Sequence, residues 1–330
     1  MQCPACNTEA PNEDLFCENC GVNLKSPPAA APAAGCTCGA SADEADEDGF
    51  CLRCGRRVVR PASDHVEEAL SPVFAAVSDR GIRHDRNEDR FGMLQSGAWR
   101  VMAVCDGVSA TRKSEIASAA VSEGLVRSLG DAVKGGVADP ELAMRQAIAA
   151  GAANLATRTP RDERENPPST TVVAALVRTS ETGLEVAIGW IGDSRAYWID
   201  ASGATPLTVD HSWLNEVVAS GEMSAAAAAA APQAHAITRW IGADAEPNLK
   251  ADIVRRSFTG AGTLLLCTDG LWNYASAENA LAKLVHEGAA TGEDALATAR
   301  RLVQFANERG GQDNITVALL HLSQPNPNKS

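Results

Sequence analysis

Eight of the ten cysteines of this 330-residue chain fall within its first 54 residues, and no other feature constrains its folding as strongly. Cys3 and Cys6 pair closely, as do Cys17 and Cys20; a second set follows in Cys36 and Cys38, then Cys51 and Cys54. Two tight chelating turns set apart by a short loop supply the four ligands of a tetrahedral zinc site. Glycine follows Cys20, Cys38 and Cys54, and suits the turn that comes after a chelating pair. No charged and apolar leader precedes the cysteines, so a reducing compartment is expected and a disulfide framework is not. Sites of this kind are closed, and their metal contributes folding energy rather than catalysis.

Together the eight cysteines resemble a double zinc ribbon. The expected layout is a first ribbon over 1–24, a Pro/Ala linker over 25–35, a second ribbon over 36–60 and a polar connector over 61–71. The acidic run at 43–48 reads as a solvated loop. Ribbons bind proteins or nucleic acids, and charge separates the two. Residues 1–60 carry nine acids against five bases, which favours a protein contact, such as a kinase or scaffold that localises or regulates the chain. The whole chain is at −13, from 42 acids and 29 bases, which argues against nucleic acid and anionic lipid as main partners. Its apolar runs are far too short to span a bilayer, so a cytoplasmic location is expected.

Residues 72–323 have a globular α+β pattern, and 324–330 form a polar tail. Apolar runs read as buried strands at 101–106, 171–177, 184–191, 195–199, 263–268 and 315–322. Short turns join the runs at 171–177, 184–191 and 195–199, which favours antiparallel pairing among them. Helical patterns cover 113–129, 139–156, 212–220, 278–287 and 292–308, the second opening with an Asp139 cap and Pro140. Seven alanines at 225–231 are compatible with a helical turn.

Acids recur where these strands meet loops, at Glu88-Asp89, Asp106-Gly107, Asp193, Asp269-Gly270 and Asp313. A carboxylate at the end of a buried apolar strand is costly unless positive charge compensates it. Several in one domain, with no basic run beside them, make a hard-cation site suited to magnesium or manganese. Glycine after Asp106 lets a backbone carbonyl come close to a metal. Two such ions could share a hydroxide, lower its pKa and aim it at phosphorus.

The segments SDRGIRHDRNED (78–89), CDG (105–107), STT (169–171), GDSRAY (192–197), LTVDHS (207–212), CTDGLWN (267–273) and GQDNIT (311–316) resemble, in order and spacing, the PPM family. These are the type 2C metal-dependent protein serine/threonine phosphatases, in their bacterial form. The resemblance implies an α-β-β-α sandwich of two antiparallel sheets flanked by helices, with two Mn²⁺ or Mg²⁺ ions at one end. It makes Asp106 the bridging ligand, Gly107 a carbonyl ligand, Asp269 and Asp313 holders of the first metal, and Glu88 and Asp89 contributors through bound waters. Asp193, with Asp269, matches a third, weaker metal site. Thr268 and Asn314 would orient ligands, and 208–240 would be a substrate-selective flap. Cys105 and Cys267 read as small buried hydrophobes.

Three positions depart from the family pattern. The phosphate-binding arginine, three residues before Asn87, is replaced by His84. In an extended segment positions 84 and 86 share a face, so Arg86 or protonated His84 is the expected phosphate contact, unless metals and waters provide most of it. The histidine proposed as leaving-group acid in eukaryotic members has no counterpart after Gly107; a metal-bound water is the default. Ser109-Ala110 stands where bacterial relatives carry Gly-Gly. No metal ligand is lost. The expectation is a monomeric catalytic domain acting on phosphoproteins, with two structural zincs in the ribbons. The rival is a phosphatase-like binding or signalling protein with weak or no catalysis.

Overall fold

The structure is a computed structural model that describes residues 36, 38–41, 44, 51–55, 64–159, 166–180, 183–245, 250–275 and 279–322. The chain divides into two compact units, Met1–Ser63 and Asp64–Ser330. The ribbon expected over 1–24, with Cys3, Cys6, Cys17 and Cys20, lies outside the described residues, as do the linker at 25–35 and the tail at 324–330.

In the first unit the second cysteine set is drawn together. The Sγ atoms of Cys36 and Cys54 stand 3.4 Å apart and those of Cys38 and Cys51 3.6 Å apart, and all four lie within 4.8 Å of one another. Gly39 and Gly55 take the left-handed conformation, at φ 87° and 70°, where a side chain would be strained.

The second unit has eleven strands among its described residues. They are β1 (His65–Ser71), β2 (Phe74–Asp79), β3 (Arg90–Ser96), β4 (Trp99–Cys105), β5 (Val172–Thr179), β6 (Leu184–Ile191), β7 (Arg195–Asp200), β8 (Gly203–Pro206), β9 (Asp252–Phe258), β10 (Gly262–Cys267) and β11 (Ile315–Leu322). Six form one sheet in the order β1-β2-β11-β10-β7-β8, and five form another, β3-β4-β5-β6-β9, all pairs antiparallel.

The helices are α1 (Ser114–Gly135), α2 (Pro140–Arg158), α3 (Trp213–Ala219), α4 (Ala225–Ala229), α5 (Asp269–Trp272), α6 (Ala280–Thr291) and α7 (Ala295–Glu308). Side chains alternate across each strand, so a strand in the middle of the sandwich buries both faces. From β4, Met102 and Val104 enter the core between the sheets with Phe74, Val173, Leu264 and Leu320. Its other face, Val101, Ala103 and Cys105, packs under α1 and α2. Leu265, Val317 and Leu319 of the six-stranded sheet likewise meet α6 and α7. The result is the four-layer α-β-β-α sandwich.

Register sets where the acids go. Asp79 pairs with Ile315, Cys267 with Val317, and Arg90 with Cys105. The turns after β4 and β10 and those before β3 and β11 therefore open at one end of the sandwich.

Three expectations change. The connector expected over 61–71 is largely strand β1, an edge strand whose exposed His65 and Glu68 give it the polar look of a linker. Strands β5 and β6 pair as expected, but β6 and β7 lie in different sheets. The short turn at 192–194 is a crossover between layers, and glycine is needed at 192: its φ is 104°, and a Cβ there would strike Thr171. Helix α7 begins at Ala295 rather than 292, since Gly292 ends α6 in the left-handed region and Asp294 caps the next helix through Ala297 N–H.

Candidate active site

Asp106 leaves β4 at its buried end and is fixed by its backbone. Its N–H donates to Thr171 Oγ1 at 3.3 Å, while its carbonyl accepts from Thr170 Oγ1 at 2.7 Å and from Thr171 N–H at 2.8 Å. Gly107 is confined from the other side: a Cβ there would lie 2.6 Å from the Glu88 carbonyl and 2.9 Å from Ser114 Cβ. Only glycine lets the two turns come this close.

Around Asp106 stand Asp89, Asp193, Asp269 and Asp313. Burial and the negative charge of all four push the Asp106 carboxyl well above the usual carboxylate range. Asp89 is pushed up to about 8, chiefly by burial. Asp269 reaches about 8 through burial and the charges of Asp193 and Asp313, and Asp193 about 7 through burial and Asp210. Asp313 is raised by burial, although His84 works the other way. Five carboxyls all raised above the ordinary carboxylate range, chiefly by desolvation and in part by their neighbours' charges, need positive charge to ionise together.

The donor set suits a hard divalent cation. It consists of carboxylate and carbonyl oxygens. Asp269 Oδ1 is buried and has no hydrogen-bond partner, an orphaned acceptor of the kind a cation satisfies. Its Oδ2 accepts from Asn273 Nδ2 at 3.2 Å.

Neighbouring polar groups hold these side chains in place. Thr268 Oγ1 donates to Asp89 Oδ2 at 2.9 Å. Asn314 accepts the Glu88 N–H at Oδ1 (2.7 Å) and donates from Nδ2 to the Arg80 and Arg86 carbonyls at 2.8 and 3.0 Å. The Glu88 carboxylate accepts from Ser114 Oγ at 2.7 Å and from Ser109 Oγ at 3.1 Å. Ser109, one of the departures from the family pattern, thus donates to a residue of the cluster.

His84 Nε2 lies 3.1 Å from Asp313 Oδ1, and Arg86 lies 3.5 Å from Glu115 at the start of α1. Both are half-buried, whereas Arg83 is exposed. Cys105 and Cys267 are fully buried, and burial raises both thiols far above their ordinary range.

The expected flap, 208–240, carries α3 and α4. It returns to the site where Ile241 bridges Thr170, next to Thr171. Residues here that the sequence did not single out do much of the fastening. His211 is buried, accepts the Gly192 N–H at Nδ1 (2.9 Å) and bonds Asp252 through Nε2 (2.9 Å). Burial holds this imidazole below its ordinary pKa. Arg195 forks onto Asp210 and lies over Trp272. His211, Asp210, Arg195 and Trp272 sat inside quoted motifs and Asp252 did not, but a motif names residues without naming their contacts.

The profile of the protein phosphatase 2C family matches residues 81–315. A serine/threonine phosphatase, stp, of Listeria welshimeri is 31% identical over 250 residues, covering 74% of this chain and 93% of that protein. The crystal structure of the serine/threonine phosphatase PstP/Ppp of Mycobacterium tuberculosis superposes with TM-score 0.61 at 26% identity, over 76% of this chain and 98% of that one. A PstP catalytic domain crystallised with two manganese ions shares the fold at TM-score 0.60 and 23% identity, over 78% of this chain and 99% of that one. The matched stretch begins before Glu88 and ends beyond Asp313, taking in every carboxylate of the cluster, and the chain belongs to the protein phosphatase 2C family.

Proposed function

We propose that the chain hydrolyses phosphoserine and phosphothreonine in proteins, with two Mn²⁺ or Mg²⁺ ions held by Asp106, Asp269, Asp313 and the Gly107 carbonyl. The observation that carries this reading is the cluster of five raised carboxyls around the orphaned Asp269 Oδ1. When bound, such ions lower the pKa of a water and neutralise charge on the phosphoryl oxygens. Glu88 and Asp89 act through waters, and Asp193 with Asp269 makes a weaker third site.

The protein's own part is positioning. Thr268 and Asn314 hold Asp89 and Glu88. His84 or Arg86 meets the substrate phosphate, and the flap at 208–240 selects the substrate. No covalent phosphoenzyme forms in this reading: thiols as deeply buried as Cys105 and Cys267 offer no thiolate.

In the N-terminal unit, a structural zinc at Cys36, Cys38, Cys51 and Cys54 is supported by the sulfur spacings. Four thiolates ~2.3 Å from one ion stand ~3.8 Å apart, whereas a disulfide needs ~2.05 Å. The Cys38 backbone N–H holds Cys36 down at about 7, close to the thiolate form a metal requires. A second zinc belongs to Cys3, Cys6, Cys17 and Cys20. The ribbons serve localisation or regulation through a protein partner, a kinase or scaffold, beside a monomeric catalytic domain in the cytoplasm. No helix among the described residues is long and apolar enough to cross a membrane.

Hydrolysis of a phosphothreonine peptide with and without Mn²⁺, by the wild type and Asp106→Ala, tests the catalytic reading. Metal-dependent turnover that the variant loses supports it; equal rates, or no metal dependence, overturn it.

A further inference from the structure

The chain is acidic overall, at −13, yet one groove on the five-stranded sheet reverses that sign. It encloses about 410 Å³ beside the start of α2, with buried Leu176 and Ala187 at its base and Trp99 and Pro140 along it. Three arginines line it, Arg178 from β5 and Arg255 and Arg256 from β9, against a single acid, Glu185. All four charged residues are exposed. Among the described residues none of the three arginines forms an ion pair. Arg178 lies over the Trp99 ring, its Cζ 5.9 Å from the centroid, and Arg256 donates from Nη1 to the Arg255 carbonyl at 2.9 Å. The acids at the start of α2 are engaged elsewhere. Asp139 caps the helix by accepting from Glu141 and Leu142 N–H, and Glu141 pairs with Arg145 at 2.8 Å.

Bases on an edge strand discourage pairing with other chains, which accounts for Arg255 and Arg256 on β9. It does not account for Arg178. Strand β5 lies two strands in, with β6 between it and β9, and has no free edge to guard. A guanidinium stacked on an indole keeps its N–H edge for an anion. Strands ~4.8 Å apart put β5 and β9 roughly 10 Å from each other, the span of two acids three positions apart in an extended peptide. Among the described residues β9 pairs with β6 alone, so its outer side is open to an extended chain that adds backbone hydrogen bonds.

The groove stands at the far end of the strands from the carboxyl cluster. Trp99 begins β4 and Cys105 ends it, just before Asp106, a run of roughly 20 Å. We propose that this groove docks an extended, carboxylate-rich segment of the phosphoprotein substrate, remote in sequence from the phosphorylated residue. Docking there raises the local concentration of that residue at the cluster. The proposal rests on the reading of the chain as a phosphoprotein phosphatase. A peptide is favoured over a nucleic acid because a long polyanion meets repulsion from the rest of this acidic chain.

The test uses the full chain and two readouts. One is fluorescence anisotropy of a labelled, unphosphorylated peptide with a run of four glutamates, which needs no turnover. The other is KM in Mn²⁺ for phosphothreonine peptides with that run about ten residues away on either side, three residues away, or replaced by serines. The wild type binds the labelled peptide, more weakly as salt rises. Its KM is about tenfold lower with the distant run than with serines. Three residues, ~10 Å when extended, do not reach the groove, so the close run gives no such gain.

The double variant Arg178→Gln, Arg255→Gln loses the anisotropy signal and the KM gain together. Arg255→Gln alone, exposed on an edge strand, loses part of both and carries the test if the double variant does not fold. Glu185→Gln removes the acid of the groove and tightens both. Lys283→Gln, exposed on α6, removes a charge elsewhere and changes neither. If the arginine variants bind the peptide and keep the KM gain as the wild type does, the docking proposal falls alone. If they lose binding but no peptide is turned over in Mn²⁺, the catalytic reading falls and the peptide groove is supported. Single-stranded oligo-dT that binds more tightly than the peptide, and is lost in the same variants, would make this a nucleic-acid site and overturn the proposal.

Discussion

The side-chain carbonyl of Asn314 accepts the backbone N–H of Glu88 at 2.7 Å, across 226 residues of sequence. The same side chain donates to the carbonyls of Arg80 and Arg86, so one buried amide fixes the whole segment that carries His84, Glu88 and Asp89. Asn314→Ala leaves those backbone groups without their partner. The cost expected for buried polar groups is about 1–3 kcal/mol, read as a lowered urea midpoint, together with a reduced kcat. Asn314→Asp keeps an acceptor and loses both donors, so it recovers only part of each. A variant with unchanged midpoint and kcat would contradict this role.

The carboxyl cluster makes stability depend on pH in an unusual direction. Asp89 and Asp269 sit at about 8 in the folded protein against an ordinary 3.8. Between these values the folded state keeps protons that the unfolded chain has released, so stability without divalent metal falls as pH rises, by up to ~1.4 kcal/mol per pH unit for each proton retained. All six tryptophans belong to the catalytic unit, and their fluorescence reports its unfolding alone. In chelator the urea midpoint decreases from pH 5.5 to 7.5; in saturating Mn²⁺ the slope is lost. A midpoint that rises with pH in chelator would show that the carboxyls ionise without metal.

Much of this was legible because the strands that deliver the carboxylates are continuous apolar runs. Such runs as Val101–Cys105 and Leu264–Cys267 mark where a buried strand stops and an acid at the start of a loop follows. Strands β1, β3, β8 and β9 went unread because each is an edge strand with few buried residues, and polar alternation at an edge looks like a loop; the buried interior strand β2 went unread as well, its apolar run Phe74–Val77 being short and half alanine. The change of sheet between β6 and β7 was also hidden. A two- or three-residue turn ordinarily makes a hairpin, so nothing local marks 192–194 as a passage from one sheet to the other. The fastening by Trp272, Arg195 and His211 depends on long-range pairing that local sequence does not encode.

Gly107 offers a sharp steric test. A methyl group there would stand 2.6 Å from the Glu88 carbonyl, and backbone cannot give way as a flexible side chain can. Gly107→Ala is therefore expected to separate the two turns, at a cost of about 1–3 kcal/mol typical of overpacking, and to abolish Mn²⁺-dependent turnover. Normal turnover would mean that the approach of Gly107 to Glu88 is dispensable.

For the N-terminal unit the expected result is a separation of effects. Cys51→Ser removes one of four sulfurs and reduces bound zinc by one equivalent, measured by elemental mass spectrometry on the full chain. Structural zinc in such small modules is most of their folding energy. The catalytic unit is separate, so its tryptophan-monitored melting and its turnover of a peptide substrate stay as in the wild type. Undiminished zinc in Cys51→Ser would remove this site.

The replacement of the family's phosphate-binding arginine leaves two candidates that kinetics can separate. His84 Nε2 stands 3.1 Å from Asp313 Oδ1, and an imidazole carries charge only when protonated, whereas Arg86 is charged at any working pH. If Arg86 meets the phosphate, Arg86→Ala raises KM for a phosphothreonine peptide about tenfold or more, at all pH values, since hydrogen bonds to charged groups contribute ~1.5–3 kcal/mol. If protonated His84 does, the KM of the wild type rises with pH, and His84→Ala raises KM at low pH and removes that dependence. Unchanged KM in both variants would leave the metals and their waters as the phosphate's main contacts.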